Sequence, residues 1–275
     1  MPSYLITGVS KGIGDPQQWE FFRQIALNPS NTVICLVRNK AETEKKVAEE
    51  FPTGNHLHII QGDITDYASL QNAVTQTIEI TGGGLDYLIA NAGVVPHFDA
   101  YDPIEVLGQN PALLEDECLN LFKVNAIGNI HLFNLFVPLI QRGTAKKVFA
   151  ISSGQASLDM IPRLKIEVAP LYSMSKAALN VAVAKFSAQY AKEGILFMSI
   201  CPGMVDTGHF LDATPEQMKG FGAMLSSFAE YTPIFKGPAT TTAAVQDVLA
   251  VIEKASIEKG DGGSFVSHYG NQQWL

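Results

Sequence analysis

Cysteine is scarce. Three cysteines in 275 residues, none in a CxxC pair, give no disulfide framework and no cysteine-rich zinc motif. Cys35 lies inside an apolar run and Cys201 ends another, the pattern of buried, reduced thiols in a cytoplasmic protein. Basic charge is also short. A net charge of −8 argues against a nucleic-acid partner, which needs a basic surface. The six histidines form no HExxH or similar cluster, and His56 and His58, on one face of a predicted strand, lack a third ligand, so no metal is expected. No window approaches the roughly 18 apolar residues of a membrane-spanning helix. The opening MPSYLITG has no basic stretch leading into a long apolar one, so no secretory signal is expected. Repeats, low-complexity tracts and long linkers are missing too.

What is present is alternation. Apolar runs at Tyr4–Thr7, Val33–Val37, His56–Gln61, Tyr87–Ala90, Lys147–Ser152, Leu196–Cys201 and Gly263–Val266 read as strands. Between them, Gln18–Leu27, Ala41–Glu50, Tyr67–Thr81, Glu115–Gln141, Ser173–Glu193 and Ala239–Glu253 have helical spacing. Strands that are apolar throughout are buried on both faces. The expectation is therefore an α/β fold: a single Rossmann-type domain over residues 1–275, with a doubly wound parallel sheet of about seven strands and helices on both faces. The least regular stretch, 203–238, reads as a substrate loop.

Thr7-Gly8-Val9-Ser10-Lys11-Gly12-Ile13-Gly14 sits between a strand and a helical segment. Glycines at 8, 12 and 14 suit a tight turn that lets a pyrophosphate approach a helix N-terminus. The spacing is GxxxGxG rather than GxGxxG, and alone it is weak evidence. The second strand ends Leu36-Val37-Arg38-Asn39, with no carboxylate to hold ribose hydroxyls. Arg38 and Lys11 could instead grip a 2′-phosphate, although either alone is more often a solvated surface charge.

Tyr172-Ser173-Met174-Ser175-Lys176 places tyrosine and lysine one turn apart on a helix face. A free tyrosine titrates near pH 10, and an adjacent ammonium favours its phenolate, which suits proton exchange with a carbonyl or alcohol oxygen. A bare YxxxK is more often an ordinary helix pair. Ser153 ends a strand run, where open α/β sheets bind ligands, and its hydroxyl can hold a substrate oxygen; Ser152 is its rival. Among Asn125, Asn129 and Asn134, spacing does not choose.

Taken in order, these segments resemble the short-chain dehydrogenase/reductase superfamily along the whole chain. The resemblance implies cofactor contacts at Gly8, Ser10, Lys11, Gly12, Ile13 and Gly14, and at Arg38 and Asn39. Lys11 and Arg38 both stand where the family holds NADP(H), which favours that cofactor. It implies that Asp63-Ile64 holds the adenine, that Asn91-Ala92-Gly93 lines the adenosine side, and that Pro202-Gly203 with Val205 and Thr207 meets the nicotinamide amide. It selects Ser153 over Ser152 and Asn125 over its neighbours, with Asn125, Ser153, Tyr172 and Lys176 as the catalytic set; Tyr172 and Lys176 also touch the cofactor. The ending GGSFVSHYGNQQWL and the Leu-Val-Arg-Asn segment look most like the sniffer-like or fungal ketoreductase branch. A homodimer or homotetramer, formed through the helices from Glu115 and Ser173, is a family expectation.

Two intervals depart from the family. Asp15–Trp19 stands in excess of its register: either Asp15 as N-cap and Pro16 at the first helical position shift the helix start, or the pyrophosphate site is displaced and cofactor binding weakened. The interval from Ser153 to Tyr172 is long, so Gly154–Pro170 is expected to bulge over the substrate. Pro96, His97, Phe98, Gln155, Leu158, Met204, His209 and Phe210 are candidate pocket residues. The reading is NADP(H)-dependent reduction of a ketone or aldehyde, or the reverse. An NADP-binding sensor or scaffold without turnover, and a non-redox isomerase or cyclase, stand as alternatives.

Overall fold

The structure, a computed structural model, describes residues 1–9, 16–207, 213–233 and 235–275, with side chains throughout these ranges except at 16–18. Seven strands, β1 (Ser3–Thr7), β2 (Thr32–Val37), β3 (Leu57–Gln61), β4 (Tyr87–Ala90), β5 (Lys147–Ile151), β6 (Leu196–Cys201) and β7 (Phe265–Ser267), form one sheet in the order β3-β2-β1-β4-β5-β6-β7. Every pairing is parallel. The Rossmann-type expectation agrees with this sheet. Its order reverses between β1 and β4, and the crevice above such a switch point is where open α/β sheets bind ligands.

The connections hold α1 (Pro16–Ala26), α2 (Lys40–Glu50), α3 (Tyr67–Thr81), α4 (His97–Ala100), α5 (Ile104–Leu107), α6 (Pro111–Phe122), α7 (Gly128–Arg142), α8 (Met160–Leu164), α9 (Pro170–Tyr190), α10 (Pro215–Tyr231) and α11 (Thr241–Lys254). Alternation along the strands divides the interior into two cores. Leu5, Ile34, Leu88, Val148 and Phe197 pack with Leu70, Phe133 and Leu179 of α3, α7 and α9. Their neighbours Ile6, Cys35, Ile89, Phe149 and Met198 turn the other way, onto Phe22 of α1 and Val245 and Val248 of α11. Both faces are thus covered, which is why the strands are apolar without polar interruption.

Helix α1 starts at Pro16, the first-turn position where a missing N–H costs nothing. Trp19, the last residue of the extra segment, is buried against Phe22. Its Nε1 donates to Glu50 of α2 at 2.9 Å, and Lys46 Nζ lies 3.9 Å from its ring centre. The insertion therefore lengthens α1 and fastens it to α2.

Three segments differ from the sequence expectation. Glu115–Gln141 is not one helix: α6 and α7 are joined by a π-helical turn at Lys123–Ile127. Residues 203–238 do not form one long loop, because they contain α10. Its start is built by a capping box between Thr214 and Gln217, with Pro215 next in line. Gly220 and Gly222 inside it dilute the helical signal. Finally, Gly154–Pro170 lies over the carboxyl end of the sheet as expected, but as a packed segment with its own helix α8 rather than an open loop. Met160, Leu164 and Ile166 are buried, and Val168 bridges to Pro103.

Candidate active site

The carboxyl ends of β1 and β4 are laced together. Thr7 Oγ1 accepts from the backbone N–H groups of Asn91 and Ala92 at 3.1 and 3.0 Å, while Asn91 Nδ2 donates to the Thr7 carbonyl at 3.1 Å. Gly8 then turns with φ +80°, and a Cβ on it would lie 2.6 Å from Ala92 Cα. Only glycine lets these two chain segments meet. Beside the junction is a cavity of about 180 Å³ lined by Gly8, Arg38, Asp63, Ile64, Ala92 and Gly93, among others. Asn39 lies outside its lining and instead caps α2, its side chain accepting from Glu42 N–H. Ser10, Lys11, Gly12, Ile13 and Gly14 fall outside the described residues.

Asp63 Oδ1 accepts from Thr65 N–H and Oγ1, both at 2.8 Å. Burial pushes the Asp63 carboxyl up, but the Thr65 bonds, with Arg38 and Lys123 nearby, leave it below the usual carboxylate range. Asn120 and Val124 also line this cavity, and sequence reading missed both. Asn120 is near the end of α6 and Val124 is in the π-helical turn, with no motif to flag either.

A second cavity, about 360 Å³, opens over the ends of β4, β5 and β6. Ser153, Tyr172 and Lys176 line it together with Asn91, Gly93, Pro202, Gly203, Val205 and Thr207. Three separate segments, after β4, β5 and β6, thus meet the start of α9 at one wall. Lys176 is buried and donates from Nζ to the Ile151 carbonyl at 2.8 Å. Its Nζ lies 5.8 Å from the Tyr172 ring centre. Ser153 Oγ accepts from Gln155 N–H at 3.3 Å, whereas Ser152 Oγ is buried with no partner among the described residues. Both serines reach the cavity, so geometry alone does not demote Ser152.

Asn125 lies behind the wall rather than on it. It is fully buried in the π-helical turn, and its amide makes a pair of hydrogen bonds with Val94: Oδ1 accepts from the N–H at 2.9 Å and Nδ2 donates to the carbonyl at 3.0 Å. Nδ2 also donates to Ser175 Oγ at 3.0 Å, one residue before Lys176. A Cβ on Gly93 would lie 3.1 Å from Lys176 Nζ and 3.2 Å from Asn125 Oδ1, so both groups converge on that glycine. Asn129 supports the turn by donating to the Asn125 carbonyl at 2.8 Å, and Asn134 is exposed.

Asp99 is the important residue the sequence did not reveal. Helix α9 has no side-chain cap of its own, and its N-cap Ala169 is left-handed at φ 54°. The cap comes instead from α4. Asp99, fully buried, accepts from Leu171 N–H at 2.9 Å and Tyr172 N–H at 2.7 Å. Burial raises the Asp99 carboxyl above its ordinary range despite these two donors, and nearby Glu117 adds to the rise. The carboxylate therefore grips the very peptide that carries Tyr172.

Of the other pocket candidates, Gln155 and Met204 line the cavity. Pro96, His97 and Phe98 do not; His97 packs edge-on against Tyr101, and Phe98 joins a small cluster with Leu107 and Leu171. Leu158 is exposed, while His209 and Phe210 lie outside the described residues.

Comparison with known proteins decides the family. Residues 3–217 match the short chain dehydrogenase family, and the chain is 56% identical over 275 residues, the full length of both chains, to the short chain dehydrogenase virK of Hypocrea virens. It is a short-chain dehydrogenase/reductase. A second relative, the short-chain dehydrogenase/reductase iacC of Pestalotiopsis fici, is 50% identical over the full length of both. Among solved structures, the NADPH-bound carbonyl reductase from chicken fatty liver superposes with a TM-score of 0.75 at 23% identity, covering 98% of each chain. Carbonyl reductase Sniffer of D. melanogaster gives 0.73 at 19%, again covering 98% of each. At these identities the likeness is one of fold.

Short-chain dehydrogenase/reductases are oxidoreductases that bind a nicotinamide cofactor, and the residues here fit one. Gly8 and Gly93 leave open the approach that side chains would fill. Gly93 and Val94 line both cavities, so an extended dinucleotide can pass from one to the other. Among the described residues there is no group of three His, Cys, Asp or Glu side chains that could hold a metal ion. No helix of the described chain is long and apolar enough to cross a membrane.

Proposed function

We propose that this protein is an NADP(H)-dependent reductase of ketones or aldehydes, running equally as an alcohol dehydrogenase, with Tyr172 as its acid and base. The observation that carries this reading is the meeting of Ser153, Tyr172 and Lys176 on one cavity wall beside Pro202, Gly203 and Val205. When bound, the cofactor supplies or receives the hydride. In the reductive direction the Tyr172 hydroxyl gives its proton to the substrate oxygen, and in the oxidative direction it takes that proton back. Ser153 donates a hydrogen bond to the same oxygen and stabilises its developing charge. Lys176 keeps a positive charge near the phenol, favouring its ionised form. Asn125 fixes Val94 and also Ser175, the residue that precedes that lysine.

The preference for the phosphorylated cofactor rests on Arg38. It lines the smaller cavity, and β2 ends without a carboxylate to hold ribose hydroxyls. The carbonyl reductase from chicken fatty liver, similar in fold, holds NADPH. We place the enzyme in the cytoplasm; that it is a homo-oligomer is supported by the exposed apolar side chains Leu119 of α6, Ile127 of the π-helical turn and Val181 of α9.

The test is oxidation of NADPH against a panel of ketones and aldehydes, repeated with NADH and with Arg38→Asp. Turnover with NADPH is expected, and Arg38→Asp should shift the NADPH/NADH preference about tenfold or more toward NADH. Equal use of both cofactors by the wild type would defeat the NADP assignment. Cofactor binding with no turnover of any carbonyl would favour a sensor instead.

A further inference from the structure

The larger cavity has two unlike halves. One carries the hydroxyls of Ser153 and Tyr172. The other is closed by Met160 of α8, by one face of α10 and by Trp274. On α10, Phe221, Met224 and Phe228 recur at helical spacing and so project to the same side. Trp274 is buried and packs on Phe265, ring centres 4.4 Å apart. Gly154, next to Ser153, is the junction. A Cβ on it would lie 3.2 Å from Met160 Sδ, 3.4 Å from Trp274 Cβ and 3.6 Å from Cys201 Sγ. The apolar half thus begins one residue from the hydroxyl.

Charge sharpens the picture. Lys176 is the one Lys, Arg, Asp or Glu among the described lining residues, and it is committed to the Ile151 carbonyl. Gln217, on the α10 side, donates to Asp102 at 2.9 Å. A charged substrate would lose its hydration in this half, where no Lys, Arg, Asp or Glu side chain of the described lining faces it as a counter-charge. A neutral one meets thioether, thiol and aromatic surfaces.

We infer, building on the reductase reading, that the site selects neutral ketones whose carbonyl is borne on a flat aromatic ring, with Trp274 as the wall that sets this preference. Aromatic rings gain from indole and thioether neighbours beyond the area they bury. A straight-chain ketone gains the area alone and gives up rotamer freedom when it is held.

Two features of the chain make this testable independently of turnover. Its tryptophans are Trp19 and Trp274, and Trp19 does not line the cavity. Trp19→Phe therefore leaves Trp274 as the sole indole reporter. The NADP⁺-loaded variant is titrated with a naphthyl methyl ketone and with a straight-chain methyl ketone of equal carbon number; kcat/KM for both is measured on the wild type. The naphthyl ketone should quench Trp274 emission at about tenfold lower concentration and show about tenfold higher kcat/KM. Trp274→Ala should abolish that preference and Trp274→Phe keep most of it. Quenching without turnover of either ketone would support the wall and overturn the reductase reading. Equal binding of the two ketones, or a preference that survives in folded Trp274→Ala, would overturn the inference. If Trp274→Ala does not fold, Trp274→Leu, which keeps apolar bulk without an aromatic ring, replaces it under the same criterion.

Discussion

The two ends of the sheet each hold a carboxylate that collects backbone N–H groups, and they use it differently. At the amino ends of the strands, Asp86 accepts from Ser3 N–H and Oγ, and from Thr144 and Ala145 N–H, at 2.7 to 3.1 Å. Burial pushes its carboxyl up, but these donors outweigh burial and leave it below the usual range. Tyr4 and Tyr87 stack beside it, ring centres 4.4 Å apart, and Lys147 Nζ closes the end of α11 by donating to the Ile252 carbonyl at 3.2 Å. This end fastens β1, β4 and β5 together. At the carboxyl ends, Asp99 receives only two N–H groups, both in the first turn of the helix that carries Tyr172. Around it the chain is not closed. Glycines make room, Ser152 Oγ has no described partner, and a cavity remains. One end is satisfied within the protein; the other is left with capacity for something else.

The largest expected effect breaks this contrast at its functional end. Tyr172→Phe should lower kcat by about a thousandfold, with thermal stabilisation by NADPH retained. Loss of less than about tenfold would remove Tyr172 from the proton path. Next comes Asp99, argued here as a positioning residue. Asp99→Ala frees the Tyr172 peptide, and misplacement of a reacting group by about 1 Å costs on the order of a hundredfold. The fall should appear in kcat while KM for NADPH stays within about twofold, and Asp99→Asn, which keeps one acceptor, should recover part of it. A purely structural role would show as lower thermal stability with unchanged kcat in the folded fraction.

Asp86→Ala should give the reverse pattern: a loss of about 2 kcal/mol in stability, from several charge-assisted hydrogen bonds, with kcat nearly intact. The pH sign follows from its lowered carboxyl. The stabilisation is present in full above the ordinary aspartate range, near pH 4, and is lost as pH falls through the still lower folded-state value. Denaturant titrations of wild type and Asp86→Asn at pH 7 and at about pH 3 should therefore converge on the acid side. A gap that stays constant with pH would detach that stability from the carboxylate's ionisation.

These carboxylates also show where sequence reading stops. Tyr172 and Lys176 were legible because one helical turn joins them, and Ser153 because it ends an apolar run. Asp99 was not, since it caps a helix whose start is more than 70 residues downstream in the chain. Nothing local marks an aspartate in a four-residue turn as the cap of another element. Trp274 was hidden in the same way: it was part of a recognisable ending, but its wall exists only once α8, α10 and β7 come together. The sheet, by contrast, was readable in order because each strand announces its own burial.

Helix α10 gives the smallest effect and a finer test of the open end. Gly220 and Gly222 are exposed, with nothing within 4 Å of a Cβ placed on either. Their negative φ asks for no glycine, so the residues lower helix stability without any packing in return. Replacing each with alanine should raise stability by about 0.5–1 kcal/mol, read as a rise in Tm. A Cβ at either position meets open space and none of Phe221, Met224 and Phe228, so the lining itself stays the same. If kcat for a bulky ketone falls as Tm rises, the glycines are there to let α10 move, and substrate passage depends on that looseness. If kcat holds, α10 is a fixed wall, and the openness at this end of the sheet comes from the cavity's shape alone.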